Sequence, residues 1–386
     1  MFMTTSERIL GEGDRRRSFA AATGCTAIAG MAMGITWPLL ALVLDRQGVS
    51  EFLIGLSSAS QSFAVFIAAP LAPRLLRRLG LSGCVLAGIG SVVLTMLLLP
   101  TFPNVIAWFP IRFLLGVGAT TLFIATQTWV NAIAAEDSRG RTIGLFGLLW
   151  SAGFAAGPLV IRVTGIEGWP PFLAAIALVA AAMAPLLGAR GLVPEMPARQ
   201  MPQLGRFFVR LPAAIYAALL LGAVDYVLDA FLPIYGLHAG MSEADAVMLL
   251  SVLLAGVTLA QLPAGWLSDR VDRQLLLFLM ALAAAMLSFA LPLAAATLWS
   301  AYLVVAALGA ALGAIWTISV VLLGAHYRGT ELAGAFAATG MLHGIGMITG
   351  PVLAGAAAAA WSPAVIPLAV GLCCVMYLPV TLIRSR

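Results

Sequence analysis

The stretch GFAAGPLV at residues 153–160 decides the architecture of this chain, because it recurs as GMITGPVL at residues 346–353. Both copies carry the pattern Gly-x-x-x-Gly-Pro, and they lie 193 residues apart. Three further pairs keep this interval to within one residue: GVSE at 48–51 with GMSE at 240–243, Pro70 with Pro263, and Gly116 with Gly309. We therefore predict that the chain is a duplication of one structural unit.

The composition places this unit in a membrane. Of 386 residues, 62% are hydrophobic and 10% are charged, and the mean hydropathy is +1.03, whereas a soluble domain has about 25% charged residues. Apolar runs of about 20 residues cross a bilayer as helices. The predicted spans are 19–44, 52–73, 82–100, 105–132, 142–163, 169–189, 208–236, 244–267, 275–294, 298–324, 332–356 and 363–383. A β-barrel would show alternating segments of about 10 residues, so we predict an all-helical integral membrane fold with twelve transmembrane helices.

The repeat divides these spans into two sets of six. We predict an N-terminal six-helix bundle at 1–189, a cytoplasmic linker at 190–207 and a C-terminal six-helix bundle at 208–386. The linker is rich in proline and arginine and cannot lie in the hydrocarbon. Since six is even, both bundles have the same orientation, as in parallel repeats that pack around a central cavity.

The basic residues predict the orientation. All 21 are arginines, and 18 of them lie on the side that holds both termini and the connections after even-numbered spans. Arg46 and Arg162 lie on the other side, and Arg112 lies inside the fourth span. The positive-inside rule then places both termini in the cytoplasm, and the Ala- and Arg-rich composition favours a bacterial cytoplasmic (inner) membrane. The net charge of +5 follows from this topology and does not indicate a nucleic acid partner.

The N-terminal sequence Arg16-Arg17-Ser18-Phe19 has an alternative interpretation as a twin-arginine export signal, with Cys25 as a lipidation site. The apolar run that follows has no Ala-x-Ala cleavage pattern, which favours a first membrane helix. All four cysteines fall in apolar spans, so we expect buried thiols and no disulfide or metal site. They are Cys25, Cys84, Cys373 and Cys374.

GWLSDRVDR at 265–273 resembles the cytoplasmic motif Gly-x-x-x-Asp-Arg-x-Gly-Arg of the major facilitator superfamily, with Asp272 in place of a glycine. The first-half counterpart, PLAPRLLRRLG at 70–80, keeps the arginines but lacks the aspartate. The resemblance implies a gating latch that pairs with a neighbouring helix end in one conformation only. For the first-half arginines, ordinary cytoplasmic charge is an equal alternative. The predicted gating residues are Arg74, Arg77, Arg78, Gly265, Asp269, Arg270 and Arg273.

The fourth span is similar to the YcaD-like branch of this superfamily. That branch carries Arg-Phe, a Gly-x-Gly pair, and then Glu-Ser-Trp-Leu-Asn before an Arg-Gly-Arg loop. The matching residues here are Arg112-Phe113, Gly116, Gly118, Gln127-Thr128-Trp129-Val130-Asn131 and Arg139-Gly140-Arg141. Gln127 stands where the branch has an acidic residue, so this position cannot carry a proton.

The fifth span resembles the glycine-rich motif of the superfamily's drug and metabolite antiporters, with Ile161-Arg162 in place of its trailing Gly-Gly. Small residues let helices approach closely, and proline bends a helix. The motif therefore favours export, although paired glycines are common in any membrane helix. The predicted helix-packing hinge comprises Gly144, Gly153, Gly157 and Pro158, with the second-half residues Gly346, Gly350 and Pro351.

The seventh span, in LGAVDYVLDAFLP at 221–233, carries Asp225 and Asp229 one helical turn apart. A charge at that depth costs about 2.5 to 3.5 kcal/mol on insertion scales, so their shared face should meet water or a partner. Arg112 lies at a similar depth, roughly 10 Å from the outer end of its span. We predict that Arg112 and Asp229 pair in one access state and separate in the other, while Asp225 takes a proton or a cationic substrate group. The alternative is that both aspartates only seal or hydrate the outer mouth.

Gln127 and His343 complete the predicted cavity set. For His343, a hydrogen bond in a helix interface is at least as good an account as a proton relay. Other polar groups are predicted either to line the pathway or to bond between helices. They are Thr36, Gln61, Asn131, Tyr226, Gln261, Trp316 and Thr317.

Missing residues exclude several functions. The chain has no lysine, and therefore no Walker A or Schiff-base lysine, and it has no HExxH or GxSxG pattern. We therefore expect no enzyme activity, cofactor or metal. A channel would need a continuous polar ring or filter, whereas the charged residues inside the spans of this chain are concentrated at one depth. This argues against a channel. We predict a monomeric, proton-coupled secondary transporter of a small organic molecule, with export favoured and import or uniport open. A non-transporting receptor or assembly protein with the same fold is the alternative.

Overall fold

The structure is a computed structural model that describes residues 12–133, 139–184, 211–327 and 329–383. Within these residues the stretch Glu51–Thr101 is helical except at Gly80 (φ 67°, ψ 176°), and we call its two arms α2 (51–79) and α3 (81–101). The N-terminal half also contains α1 (Glu12–Arg46), α4 (Val105–Ile133), α5 (Arg139–Thr164) and α6 (Pro170–Ala181). The second half contains α7 (Pro212–His238), α8 (Glu243–Ser268), α9 (Arg273–Ala294), α10 (Leu298–His326), α11 (Gly329–Ala360) and α12 (Ile366–Thr381).

These helices confirm the all-helical membrane fold. Each predicted span contains one described helix, and eleven of the helical segments are long and apolar enough to cross a membrane. The shorter helix, α6, occupies the start of the sixth predicted span. The predicted linker at 190–207 lies outside the described residues.

One boundary differs from the expected one. The second span was predicted to end at residue 73, but α2 continues to 79 and carries Arg74, Arg77 and Arg78 as exposed helical residues. A proline removes one backbone donor, and a membrane helix tolerates this when neighbouring groups satisfy the freed carbonyl. Gly80 makes the turn instead, because glycine adopts a positive φ at little cost.

Glycines pack both halves in the same way. A Cβ at Gly153 would overlap the carbonyl oxygen of Ala27 in α1, and a Cβ at Gly346 would overlap the carbonyl oxygen of Leu219 in α7. The next glycines repeat these contacts: Gly157 lies on Gly34, and Gly350 lies on Ala223. α5 therefore packs directly on α1, and α11 packs directly on α7, with their backbones in contact. The sequence repeat is thus also a repeat of helix packing.

The two halves meet closely at one face, which we call the outer face, after the predicted orientation. It holds the connections that follow odd-numbered helices, and the inner face holds the others. Arg46 at the end of α1 forms an ion pair with Glu243 at the start of α8 (3.3 Å) and another with Glu167 in the α5–α6 turn. Nearby, a Cβ at Gly355 of α11 would overlap the carbonyl oxygen of Glu51 in α2. Contacts between the halves therefore join them at the outer face.

The cysteines are all free thiols. Cys25, Cys84 and Cys374 are buried, as predicted, but Cys373 is exposed on α12. The expectation of burial was wrong for Cys373 because an apolar residue of a peripheral membrane helix can face the lipid as well as the protein interior.

Candidate substrate and proton site

Arg112 is enclosed in the N-terminal half. It lies on α4, seven residues after Val105, and none of its surface is exposed. Its Nη1 donates to Ser57 Oγ (3.2 Å), its Nη2 to Ser58 Oγ (3.3 Å) and its Nε to Gln61 Oε1 (3.3 Å). All three acceptors lie in the first turns of α2, which starts at the same face as α4, so their depth matches that of the guanidinium. Three neutral oxygens therefore hold a buried charge.

Arg112 and Asp229 are apart in this structure. Among the described residues, no ion pair joins Arg112 to a carboxylate. The predicted pairing concerns one of two access states, and the absence of the ion pair here does not test it. The pairing stays a prediction.

The two aspartates lie near the middle of α7. This helix ends at His238, two residues beyond the predicted end, which puts Asp229 about 14 Å and Asp225 about 20 Å from its outer end. Asp229 is 6% exposed, and Asp225 is half-buried. Neither carboxyl group has a hydrogen-bond or ion-pair partner among the described residues. The carboxylate oxygens of Asp229 have no partner among these residues, but they are not fully buried. They therefore border solvent-accessible space.

Four rings from four helices form a connected group beside these carboxylates. Tyr226 of α7 packs edge-on against Trp37 of α1, with centroids 4.5 Å apart and planes at 90°. Tyr226 also contacts His343 of α11 at 6.2 Å, and His343 contacts Trp316 of α10 at 6.0 Å. We call Trp37, Tyr226, Trp316 and His343 the central aromatic cluster. It joins one helix of the first half to three helices of the second.

His343 is oriented by α7. Its Nδ1 lies 3.3 Å from the carbonyl oxygen of Ala218. A carbonyl oxygen only accepts, so Nδ1 is the donor, and in the neutral ring Nε2 is left as an acceptor. Gly222 permits this approach, because a Cβ there would overlap the carbonyl oxygen of His343. The imidazole is therefore an interface group that keeps one ring nitrogen for a ligand or a proton.

Other predicted cavity residues have different surroundings from those expected. Gln127 is exposed near the inner end of α4, about 22 Å along the helix axis from Arg112. The hydroxyl groups of Thr36 and Thr317 donate to carbonyl oxygens of their own helices. Their hydrogen bonds are therefore satisfied within the helix. The side chain of Asn131 and the surroundings of Gly144 lie outside the described part of the structure.

The second-half gating segment makes its contacts within the α8–α9 hairpin. Asp269 pairs with Arg273 at 3.6 Å. Arg270 stacks on Trp266, 3.7 Å from the ring centroid, and donates to the carbonyl oxygen of that residue. Asp272 caps α9 by accepting from a backbone N–H of its first turn, which gives the aspartate a role where the motif has glycine. Across the described residues, no ion pair joins this segment to a neighbouring helix.

The prediction from sequence missed two groups. One is the pair of hydroxyl groups of Ser57 and Ser58, which hold Arg112. Their signal was the polar run LSSASQS at 56–62 inside an apolar span. The other is Trp37, the ring that α1 contributes to the central aromatic cluster. Its signal was weak, because a tryptophan in an apolar span is ordinary.

A separate cavity of about 340 Å³ opens at the outer end of α7. It is lined by Tyr235, His238, Ala239, Pro292, Ala295, Ala296 and Ala364. Its lining contains no carboxylate and none of the predicted site residues.

Comparison with known proteins gives a family and a fold. The family model described as Major Facilitator Superfamily matches residues 22–305 and 217–385. The uncharacterized MFS-type transporter YfkF of Bacillus subtilis (strain 168) is 26% identical over 274 residues, which is 68% of this chain and 69% of that protein. The uncharacterized MFS-type transporter YcaD of Escherichia fergusonii is 23% identical over 265 residues, or 64% of this chain and 65% of that protein. The match thus spans less than two thirds of the length of the YcaD protein.

A solved structure shares the fold over nearly the whole chain. It is a bacterial homolog of the human lysosomal transporter Spinster, in an inward-facing and occupied conformation. The TM-score is 0.77 at 14% sequence identity, and the match covers 96% of each chain. At this identity the likeness concerns the arrangement of the helices alone.

Proposed function

Because this chain belongs to the major facilitator superfamily and is a multi-pass membrane transporter, we propose that it moves a small organic molecule across the cytoplasmic membrane by proton-coupled alternating access. The protein is not an enzyme. One observation carries the proposal: two carboxyl groups without a described partner lie at the middle of α7, below an outer face at which contacts join the two halves.

The energetics support a carrier role for Asp225 and Asp229. A charged side chain at this depth costs about 2.5 to 3.5 kcal/mol on insertion scales, and no described cation offsets the charge of either aspartate. A bound proton or cationic group removes that cost. A site that favours such a partner and faces one side at a time can carry it across the membrane.

The contacts at the two faces support alternating access. Arg46 and Glu243 join the halves at the outer face, whereas the gating segment of the inner face is bonded only within its own hairpin among the described residues. We propose that the six-helix units at 1–189 and 208–386 rock about the central site, that both termini are cytoplasmic, and that one chain suffices. The glycine contacts of α5 on α1 and of α11 on α7 keep each unit rigid during this movement.

Spin-label distances test this mechanism without knowledge of the substrate. In a variant without native cysteines, one label pair at Gln47 and Ala239 reports the outer face, and a second pair at Leu79 and Val271 reports the inner face. A pair at Gln47 and Trp169, within the N-terminal half, is the matched control. All these positions are exposed.

We expect two populations in which the outer and inner distances change in opposite directions while the control distance stays fixed. Their ratio should shift between acidic and alkaline buffer, and Asp225→Asn should abolish that shift. One unchanging distance at both faces under all conditions would rule out the proposed mechanism.

A further inference from the structure

The central aromatic cluster and Asp229 have the chemistry of a site for an organic cation. We propose that the substrate is a lipophilic organic cation, such as a quaternary ammonium or phosphonium ion, held between the aromatic faces and the Asp229 carboxylate. The proposal rests on the proposed function, because it names the substrate class of the same site.

The charge balance around the two aspartates favours a cation. Asp225 and Asp229 lie one helical turn apart on the same face of α7, and both are close enough to act on the Tyr226 hydroxyl. Arg112 does not offset them in this structure, because it is enclosed and bonded to α2. The ionised aspartates would repel an anionic substrate, and with a neutral substrate only a bound proton could neutralise them. A cation supplies the missing charge.

The rings select the type of cation. Cations bind over aromatic faces within about 6 Å of the ring centroid, and tryptophan is the strongest partner. Tyr226 is nearly perpendicular to Trp37 (90°) and to His343 (78°), so the ring faces of the cluster point in different directions. Trp316 is 41% exposed, and its surface remains open to a ligand. Aromatic faces favour a large, weakly hydrated ion over a metal ion.

Asp229 lies next to the central aromatic cluster. It lies three residues after Tyr226 on α7, and residues at this spacing share one face of a helix. It is 6% exposed, has no partner among the described residues, and opens onto accessible space. A carboxylate without hydrogen-bond donors around it suits a quaternary ion, which offers charge but no N–H group.

Equilibrium binding to the purified full-length chain in lipid nanodiscs tests the proposal. The probes are tetraphenylphosphonium and tetraphenylborate, which have nearly the same shape and opposite charge. We expect the phosphonium ion to bind and the borate ion not to compete for its site. This comparison uses the unaltered protein, so it does not depend on whether a variant folds.

Variants then locate the site. Asp229→Asn should weaken phosphonium binding at least about ten-fold, equivalent to about 1.4 kcal/mol, and Asp229→Glu should restore most of it. Trp316→Ala should weaken binding several-fold, whereas Trp316→Phe should weaken it less. The matched control is Asp245→Asn, because Asp245 is a carboxylate at the outer end of α8, bonded to Tyr302. Its substitution should leave the affinity unchanged.

Three results would overturn the proposal. They are equal competition by tetraphenylborate, unchanged phosphonium affinity in the Asp225→Asn/Asp229→Asn double variant, and no binding of tetraphenylphosphonium, tetraethylammonium or ethidium. If the spin-label populations still exchange, such a result rules out an organic cation as the substrate but leaves the proposed transport function standing. Charge-selective binding to a protein with one fixed conformation would instead overturn the proposed transport function, while the proposed cation-binding site would stand.

Discussion

Arg46 forms two ion pairs at the outer face, and the difference between them gives a testable prediction. Its pair with Glu243 joins the two halves, whereas its pair with Glu167 stays within the N-terminal half. Alternating access requires that the first pair breaks when the outer face opens and allows the second to persist. Glu243→Gln should therefore shift the protein toward the outer-open state, and the matched variant Glu167→Gln should not.

The magnitude follows from the exposure of the pair. The side chains of Arg46 and Glu243 are 55% and 35% exposed, so solvent screens their attraction, and such pairs contribute about 0.2 to 1 kcal/mol. Loss of this contribution from the closed state raises the ratio of outer-open to outer-closed molecules about 1.4- to 5-fold.

The assay is the spin-label distance across the outer face, between Gln47 and Ala239, with the population ratio as the readout. In about 1 M salt the screening length falls to about 3 Å, so the difference between wild type and Glu243→Gln should largely disappear. The reasoning is refuted if Glu167→Gln shifts the ratio as much as Glu243→Gln does, or if the effect of Glu243→Gln is insensitive to salt.

Three further predictions concern stability, each measured in detergent. Gly153→Ala should lower the melting temperature, with a loss of about 1 to 3 kcal/mol of stability from overpacking. Gly90→Ala, at a site with open space, should leave the melting temperature unchanged or raise it. Equal effects of the two substitutions would contradict the close packing of α5 on α1. Ser58→Ala should cost about 1 to 3 kcal/mol because it leaves a buried guanidinium N–H without its acceptor, and Ser62→Ala, whose hydroxyl bonds within its own helix, should cost clearly less. Gln274→Leu removes hydrogen bonds of 2.8 and 2.7 Å to the carbonyl oxygens at the end of α12, so hydrogen exchange there should accelerate, and unaltered protection would speak against this tether.

Much of the fold could be predicted because membrane spans follow from hydropathy, and the packing follows from residue size. The glycines of α5 and α11 were expected to allow close approach, and Gly153 and Gly346 do lie on facing backbones. The family resemblance, drawn from the motif at 265–273, is confirmed. The end of α2 was not predictable, because Pro70 predicts a helix end in water but is tolerated in a membrane helix.

The candidate site was predictable in its residues and less so in its contacts. Asp225, Asp229 and Arg112 stand out because charge in an apolar span is costly. The partners of Arg112 did not follow from that rule, since a carboxylate is the obvious partner for a buried cation. In the structure, neutral oxygens of Ser57, Ser58 and Gln61 hold Arg112. Which side chains meet across helices depends on helix rotation, and the span boundaries alone do not specify it.

Transport by the purified chain in proteoliposomes tests the central claim most directly. Currents on a solid-supported membrane should be recorded for a panel of cationic, neutral and anionic organic solutes, with and without a pH gradient. We predict that at least one solute gives a current that scales with the gradient in the wild type and is lost in Asp225→Asn. A solute that stabilises the folded protein against heat but gives neither current nor uptake under any gradient would contradict the account and identify a non-transporting receptor.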